Sequence, residues 1–485
     1  MNWFNNTMSY LYPRVYNSSG PYDVGVFDYE WSPKDFDYKA AFDSKASKSK
    51  SLFADSLYLR CYYPGVKDDS TSNHVDWLPE PKNIYAEGYG SFAKVPTWAS
   101  RALFGFFGPS FRMPAYFGIS PATSLPDSIP NPNLLSQNTL ASSPSSDQVA
   151  NTNGAPANPV SISSEFPVAI FSHGLAGNRT TYSSICRELA SHGIVVLALE
   201  HRDGSASATY LNSKKTSLPY DDFNAYMANA NKALPKNIDG DADDNNIKEF
   251  GPERLEFQRK KLESRVSEIY ETVSELHRIK ADSSSSPPSS DFSKLGLASR
   301  LNLDQLVVVG HSFGGSSALE AVNLSSIHKY TQEKNPPFVA AVTIDPWMFP
   351  LERENPKIVV PTIVIRSENF LKWDIHYKEE VGFLKKSFNI QGSDHMLTTP
   401  GKFYSVNIHK SGHQYFSDLY LLFPWMSKVK YQNYTADPKL VIDLTNQLSI
   451  EFLRKFLSAD LPAGNSGKTS ILDNIKIERP DLSFD

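Results

Sequence analysis

The sequence is poor in cysteine, in long apolar runs and in excess charge of either sign. It has two cysteines, Cys61 and Cys186, in 485 residues, which excludes a disulfide framework, and their spacing fits no metal site. No uninterrupted apolar stretch approaches the roughly 20 residues of a membrane-spanning helix. A net charge of -5 gives no basic patch of the kind that binds nucleic acid. We therefore expect no nucleic-acid partner and no membrane span.

Signals for export and lipidation are also absent from residues 1–20. They contain no apolar core of a secretory signal peptide, and they do not begin with Met-Gly. Asn178 lies in a glycosylation-type sequon, Asn-Arg-Thr, within a loop that we assign below to the functional site, where a glycan would block access. These features predict a cytoplasmic location, with at most peripheral contact to a membrane.

Polar segments divide the chain without separating it into domains. Residues 120–165 are rich in Ser, Pro and Asn, residues 235–252 are acidic, and residues 282–293 contain four consecutive serines. The acidic run that begins at Asp239 lacks the glycine at the sixth position and the glutamate at the twelfth position of a calcium loop. We interpret all three as surface or disordered insertions in one domain, 1–485, whose polar tail, 460–485, is peripheral.

Between these segments, β-branched strand patterns alternate with helical ones. Strands are predicted over 166–171, 194–199, 306–309, 338–344 and 358–366, and helices over 180–192, 254–280 and 444–457. The helix over 254–280 has an apolar stripe at helical spacing. Strands that alternate with helices indicate a doubly wound α/β fold, with a mostly parallel sheet and helices on both faces.

One short segment carries the strongest chemical signal. The β-branched run 306–309 leads into Gly310-His311-Ser312-Phe313-Gly314, and the small residues 316–321 that follow can start a helix. Gly-x-Ser-x-Gly between a strand and a helix is typical of the nucleophile elbow of the α/β-hydrolase fold, because the two glycines leave room for a sharp turn that exposes the serine. We therefore predict that fold, with Ser312 as the nucleophile.

A serine nucleophile needs a histidine base and a carboxylate that orients it, and in this fold the acid precedes the histidine along the chain. Asp345 directly follows the apolar strand 338–344 and fits the acid. Several histidines come later. His376 lies among charged residues and is predicted at the surface. His395 and His413 both follow short strand-like runs and small residues, and the pattern alone does not separate them.

An ordered set of further segments carries a family resemblance. It includes Gly-Pro-Tyr-Asp-Val-Gly at 20–25, Leu-Arg-Cys-Tyr-Tyr-Pro at 59–64, Phe-Ser-His-Gly-Leu at 171–175, Leu-Ala-Ser-His-Gly at 189–193, Glu-His-Arg-Asp-Gly-Ser-Ala-Ser-Ala-Thr-Tyr at 200–210, the elbow at 310–315, 345–350, and Gly-His-Gln-Tyr-Phe-Ser-Asp at 412–418. In these segments the chain resembles the platelet-activating-factor acetylhydrolase family, the serine-dependent group of plasma and intracellular type II enzymes.

The resemblance implies roles for particular residues. In that family the histidine precedes a Gln-x-Phe-x-Asp segment, which assigns the base to His413 and leaves His395 as the alternative. The family also implies an oxyanion hole made by the backbone N–H groups of Leu175 and Phe313. Such donors typically lower the barrier by a few kcal/mol each.

The implied activity is hydrolysis, without metal or cofactor, of the sn-2 acyl ester of glycerophospholipids that carry short or oxidised chains. This is the reaction of a 1-alkyl-2-acetylglycerophosphocholine esterase or calcium-independent phospholipase A2. Two alternatives stay open: a carboxylesterase or thioesterase that acts on small soluble esters, and a non-catalytic lipid-binding protein with the same fold.

Two further segments have more than one interpretation. The charged cluster Glu200-His201-Arg202-Asp203 could bind a headgroup or a metal, but an internal salt-bridge network is the better interpretation, since the arginine repels a cation. The aromatic segment 98–117 is too short to span a bilayer. It could lie on a membrane surface in transient contact or pack as a core helix, and its periodicity does not decide between these.

Overall fold

The computed structural model describes residues 15–33, 56–68, 74–107, 111–123, 165–221, 223, 251–285, 287–351, 354–390, 398–399, 401–458, 461, 470–475 and 479–485. The described strands, in chain order, are β1 Asp23–Trp31, β2 Leu57–Val66, β3 Val75–Asp76, β4 Arg112–Met113, β5 Tyr116–Phe117, β6 Ser120–Pro121, β7 Phe166–Ser172, β8 Val195–Leu199, β9 Ala208–Leu211, β10 Thr216–Pro219, β11 Leu301–His311, β12 Phe338–Ile344, β13 Thr362–Ser367, β14 Phe403–Ile408 and β15 Leu482–Phe484.

Eleven of these strands form one mixed sheet with a parallel centre. Its order is β15-β14-β13-β12-β11-β7-β8-β2-β1-β5, and β6 pairs with β2. All neighbours from β14 to β8 are parallel, whereas β2 and β15 join this block antiparallel. Because parallel strands end at a common edge, the loops that follow β7, β11, β12, β13 and β14 meet there.

Helices cover both faces of the sheet. Among the described residues, the α-helices are α1 Lys82–Phe92, α2 Thr97–Phe107, α3 Ser183–Ser191, α4 Pro252–Ala281, α5 Asp291–Lys294, α6 Phe313–Ala321, α7 Glu368–Leu371, α8 Asp374–Phe388, α9 Leu419–Leu422, α10 Trp425–Lys430 and α11 Pro438–Phe456. Side chains of α4, α6 and α8 pack in one apolar core, and those of α1, α3 and α11 pack in the other. Alternate residues of β8 enter the two cores, since a strand presents successive side chains to opposite faces.

The predicted fold class is confirmed, and most predicted elements lie within a few residues of their expected positions. The helix predicted over 254–280 is α4, whose stripe residues Leu262, Val266, Ile269, Val273 and Leu276 are buried. The segment predicted as a strand over 358–366 forms its strand later, at β13. The helix predicted over 444–457 begins earlier, at Pro438 of α11, where Asp437 caps the first turn.

The polar tail, 460–485, is not peripheral as predicted. Its described part includes β15, which extends the sheet beyond β14, and its residues Ile471, Leu472 and Leu482 are buried in the core. The Asp485 side chain accepts hydrogen bonds from Arg366 and Asn407. This otherwise polar segment is bound to the sheet by a few apolar residues and by one carboxylate that contacts a buried arginine.

Two of the predicted insertions are partly packed. Ser120 and Pro121 form β6, so the segment predicted as 120–165 begins inside the sheet, and its residues 124–164 lie outside the described part. Residues 235–250 of the acidic segment also lie outside it. At the end of 282–293, Phe292 is buried with its ring against Phe27 and Tyr29, which explains why this end is not a solvated linker.

None of the helices among the described residues is both long and apolar enough to cross a lipid bilayer.

Candidate active site

The backbone at Ser312 makes the sharp turn that the glycine pattern predicts. Ser312 lies between β11 and α6 with φ 58° and ψ -121°, a conformation that is strained for a residue with a side chain. A Cβ on Gly310 would lie 2.0 Å from the carbonyl oxygen of Gly314, and a Cβ on Gly314 would lie 1.9 Å from that of Ser172. Only glycine fits at either position, so these residues allow the turn to close against the end of β7.

Three side chains at the carboxyl edge of the sheet form a hydrogen-bonded line. The Ser312 Oγ lies 3.0 Å from Nε2 of His413, and Nδ1 of His413 lies 2.9 Å from Oδ2 of Asp345. They meet because they follow β11, β14 and β12, which end at the same edge. The structure therefore brings together the residues predicted as nucleophile, base and acid. His395, the alternative base, lies outside the described residues.

The Asp345 carboxylate is held by β13. The backbone N–H of Ser367 donates to Oδ1 at 2.6 Å, and the Ser367 hydroxyl donates to Oδ2 at 2.5 Å. The same hydroxyl accepts from the N–H of Phe370 and caps α7. Since Oδ2 also faces the imidazole of His413, the carboxylate has a fixed orientation. Asp345 itself has φ 42°, so its backbone turns sharply as it leaves β12.

The His413 imidazole lies between two rings. Phe370 stacks on one face with 4.2 Å between centroids and 9° between planes, and His311 stacks on the other at 4.6 Å and 28°. Aromatic packing on both faces restricts rotation of the imidazole. Its two nitrogens therefore stay directed along the line from Ser312 to Asp345.

Burial sets the protonation of the line. It raises the pKa of Asp345 to about 6, against the opposing effects of His311 and the hydrogen bonds from Ser367. It lowers the pKa of His413 to about 3, and the positive charge of Lys430 acts in the same direction. The imidazole is therefore neutral near pH 7, the state in which Nε2 can accept a proton.

The loop after β7, residues 173–177 and called the β7 loop below, lies against the nucleophile elbow. A Cβ on Gly174 would lie 3.1 Å from the Cβ of Ser312. The N–H of Ala176, a residue with φ 56°, donates to the carbonyl of Ser205. Leu175 therefore lies on a fixed loop beside Ser312. Phe313 is the first residue of α6, where backbone N–H groups have no acceptor within the helix.

Asn178, the sequon residue, directly follows the β7 loop instead of lying within it, and it is buried and holds the next segment in place. Its side-chain amide donates to the hydroxyls of Tyr89 and Ser207, and its side-chain oxygen accepts from the N–H of Thr180. Since the residue is only 1% exposed, the folded chain offers no room for a glycan at this position.

The charged cluster that follows β8 is an internal network, as predicted. Its four residues pair with buried or half-buried partners on other elements: Glu200 with Arg179, His201 with Glu268, Arg202 with Glu30, and Asp203 with Arg265. Arg265 also donates to the His173 carbonyl and lies 4.6 Å from the centre of the Phe313 ring. Through Arg265, the network therefore holds the start of the β7 loop in place.

The segment that carries His413 is anchored by the aspartate five residues later. Asp418 is buried and accepts from Trp77 Nε1, from the Ser183 hydroxyl and from the Ser184 N–H, while its own N–H donates to the carbonyl of Thr181. These bonds join the segment to the start of α3. The aspartate of the Gln-x-Phe-x-Asp pattern thus has a structural use.

Among the described residues, His311, Asp345 and His413 are also a group whose ligand atoms lie within 4.8 Å of one another, as a metal site requires. All four ring nitrogens already have hydrogen-bond partners. A metal ion would break the bonds that hold the line together. The arrangement therefore suits proton transfer better than metal ligation, and the absence of a metal stays a prediction.

Two residues that support the site, His376 and Ser367, were not predicted from the sequence. His376, predicted at the surface, is fully buried, accepts from the Met348 N–H and packs on Trp373 and Phe370. Asp374 and Lys378 on the same helix are exposed, whereas Glu380 is buried beside His376, so the charged composition of the segment wrongly predicts a surface position. Ser367 has a weak signal, since it ends a strand predicted beside the strand of Asp345.

Comparison with known proteins places this geometry in a family. The model of the family described as platelet-activating factor acetylhydrolase, isoform II, matches residues 11–143 and 122–475. The platelet-activating factor acetylhydrolase of Canis lupus familiaris is 26% identical over 454 residues, 92% of this chain and 77% of that protein. The protein of the same name from Gallus gallus is 26% identical over 84% of this chain and 79% of its own length.

A solved structure, a ferulic acid esterase from Streptomyces cinnamoneus, superposes with a TM-score of 0.50 at 13% identity, over 98% of this chain and 99% of that one. At this identity the likeness concerns the fold, and it agrees with the α/β-hydrolase architecture predicted from the elbow. The family model covers most of the chain, including every segment that lines the site described above. The chain therefore belongs to the platelet-activating factor acetylhydrolase isoform II family.

Proposed function

We propose that the protein is a metal-independent serine esterase that hydrolyses the sn-2 acyl ester of glycerophospholipids with short or oxidised acyl chains. The observation that carries the proposal is the line Ser312–His413–Asp345, at 3.0 Å and 2.9 Å, at the sheet edge of a chain that belongs to a phospholipid-hydrolysing family.

The proposed reaction follows from the atoms in this line. The Ser312 Oγ attacks the ester carbonyl carbon as its proton passes to Nε2 of His413, and Asp345 stabilises the imidazolium through Nδ1–H. The N–H groups of Leu175 and Phe313 bind the oxyanion. The imidazolium then protonates the departing glycerol oxygen, which releases a lysophospholipid and leaves an acyl-serine. A water molecule, deprotonated by the imidazole, frees the carboxylic acid and restores Ser312.

A direct test uses phosphatidylcholine with a short sn-2 chain, assayed in EDTA. We expect release of the sn-2 acid and an unchanged rate on chelation, because serine supplies the nucleophile and backbone groups bind the oxyanion. Loss of activity in EDTA, restored by calcium, would contradict the proposal. Activity on soluble acyl esters and thioesters without hydrolysis of the phospholipid would favour the carboxylesterase alternative.

The pH profile follows from the buried pair. As the pH falls through about 6, one proton enters the Asp345–His413 pair, which then no longer accepts the proton of Ser312. His311, Arg366 and Lys430 are the nearby groups that influence this titration. We expect kcat/KM for a soluble ester to be constant above about pH 7 and to fall about tenfold per pH unit below about pH 6. A constant value down to about pH 4 would contradict the assignment.

Contact with a lipid surface is the second part of the proposal. In α2 only Ser100 and Phe104 are buried, while Trp98 and Phe106 are 75% and 78% exposed. Phe104 packs on Phe423, which packs on the half-exposed Trp425 of α10, so exposed aromatic side chains occur on two helices joined by one cluster. Helix α10 follows closely on the segment that carries His413. Exposed aromatic residues beside an esterase site suit an interface with lipid.

The contact is tested with the double variant Trp98→Ser/Phe106→Ser. Insertion of each aromatic side chain into lipid contributes about 1.5–3 kcal/mol, so we expect at least about tenfold weaker binding to phosphatidylcholine vesicles and a matching loss of vesicle hydrolysis. Activity on a soluble ester should not change. The control is Val359→Ser, a half-exposed residue that precedes β13 at the opposite edge of the sheet. Equal vesicle binding by both variants and the wild type would exclude this surface.

A further inference from the structure

A chain of three hydrogen bonds connects the β7 loop to the segment that carries His413. The N–H of Gly174 lies 3.3 Å from the Tyr182 oxygen, and that oxygen lies 2.8 Å from Nδ1 of His311. Nε2 of His311 lies 3.1 Å from the backbone carbonyl oxygen of His413. Tyr182 and His311 are both buried, so no solvent competes for these bonds.

The direction of every bond in this chain is fixed. A carbonyl oxygen only accepts, so Nε2 of His311 carries a proton. Burial and the neighbouring His413 hold the pKa of His311 well below its usual range, and the ring is neutral with one N–H. Its Nδ1 therefore accepts, the Tyr182 hydroxyl donates to it, and the Tyr182 oxygen accepts from Gly174. The three donors, which are the Gly174 N–H, the Tyr182 hydroxyl and the His311 Nε2–H, therefore each donate one bond. Only one placement of the protons satisfies all three bonds.

This chain of hydrogen bonds begins at the proposed oxyanion loop and ends at the proposed base. These are two parts of the site whose separation must stay fixed during the reaction. Gly174 precedes Leu175, a proposed oxyanion donor. A Cβ added to Gly174 would lie 2.8 Å from the Tyr182 hydroxyl and 3.1 Å from the Ser312 Cβ, which shows how closely this backbone approaches both residues. At the other end, His311 both holds the His413 carbonyl and stacks on its imidazole. A misplacement of about 1 Å between reacting groups can reduce rate by about a hundredfold.

We propose that Tyr182 and His311 are positioning residues that set the distance between the oxyanion donor of the β7 loop and the base His413. The proposal rests on the function proposed above. Both residues are buried, so we assign them no contact with the substrate. The hydroxyl of Tyr182 acts through His311, and His311 acts through the backbone and the ring of His413. The elbow histidine, beside the nucleophile in the sequence, thereby has a use in the reaction.

The first test is Tyr182→Phe, which removes one hydroxyl and keeps the ring. With p-nitrophenyl acetate as a soluble probe, we expect kcat to fall about tenfold, the effect of one lost buried hydrogen bond, while KM changes less than about twofold. The control is Tyr63→Phe, since the buried Tyr63 hydroxyl donates to the Ile119 carbonyl at 2.7 Å, near β6. The melting temperature should fall by a similar amount in both variants, whereas kcat should fall only in Tyr182→Phe. Equal kcat in the two variants would overturn the proposal.

The second test asks whether Tyr182 acts through His311. His311→Gln keeps one donor and one acceptor and should restore most of the kcat that His311→Leu loses. In the double variant Tyr182→Phe/His311→Leu, kcat should be no lower than in the slower single variant, because one chain is broken twice. Multiplied losses, or equal losses in the glutamine and leucine variants, would overturn the positioning role. If the wild type fails to hydrolyse any ester, the proposed function fails and this role with it. If the wild type is active and Tyr182→Phe has the same kcat, the positioning role is overturned and the proposed function is not.

Discussion

Replacement of Ser312 by alanine should lower kcat/KM for a short-chain phosphatidylcholine by about a million-fold, the loss typical when the nucleophile of a serine hydrolase is removed. The fold should be unaffected. The turn depends on Gly310 and Gly314 and on the backbone bond from the Ser312 N–H to the Ile344 carbonyl, none of which involves the hydroxyl. The measurement is hydrolysis of the sn-2 ester, with far-ultraviolet circular dichroism as the check on folding.

A matched control for this variant is Ser449→Ala. The Ser449 hydroxyl is also buried, but it donates to the Thr445 carbonyl within α11. Its removal should change kcat/KM less than about twofold, in keeping with a side chain that has no part in the reaction. If Ser312→Ala retained more than about a hundredth of the wild-type activity, another residue would be the nucleophile.

Asp345→Asn should lower kcat by about ten-thousand-fold. The carboxylate accepts two hydrogen bonds from Ser367 and one from Nδ1–H of His413. An amide NH₂ has to face one of these donors. If it faces the imidazole, His413 adopts the tautomer with the proton on Nε2, which then cannot accept from Ser312. Because Asp345 is fully buried, we expect KM to change little.

The control for this change is Glu275→Gln, another buried carboxylate turned into an amide. Glu275 accepts from Tyr29 and Arg278, on the β1 side of the sheet, and should lose stability without loss of kcat. A reduction in kcat of less than about tenfold for Asp345→Asn would show that the carboxylate does not orient the base. An equal reduction for both variants would show that the loss comes from the fold.

Local patterns in the sequence were sufficient for the elbow and for the acid. The strand, the two glycines and the following small residues specify the turn at Ser312 within about fifteen residues of chain, and Asp345 follows its strand directly. His413 is different, since its pattern does not distinguish it from His395 and its selection came from the family resemblance. The structure brings His413 to the other two residues, and the catalytic roles of all three stay predictions for the variants above.

The remaining features depend on contacts between residues that are distant in the chain. The order of β13 and β14 beside β12 brings Ser367 and Phe370 to Asp345 and His413, and no spacing in the sequence specifies that order. The prediction of a peripheral tail, 460–485, is wrong for a similar reason. Its composition is polar, but part of it forms β15 beside β14 and its few apolar residues are buried in the core. Average composition does not predict such contacts.

The central claim is that the Ser312 oxygen forms the covalent bond to the acyl group. Reaction with a fluorophosphonate, followed by mass spectrometry of the peptides, tests it most directly. The account predicts one adduct, on the peptide that contains Ser312, formed in proportion to the loss of phospholipid hydrolysis and absent in Ser312→Ala. An adduct on a different residue, or full hydrolysis by protein labelled at Ser312, would contradict it.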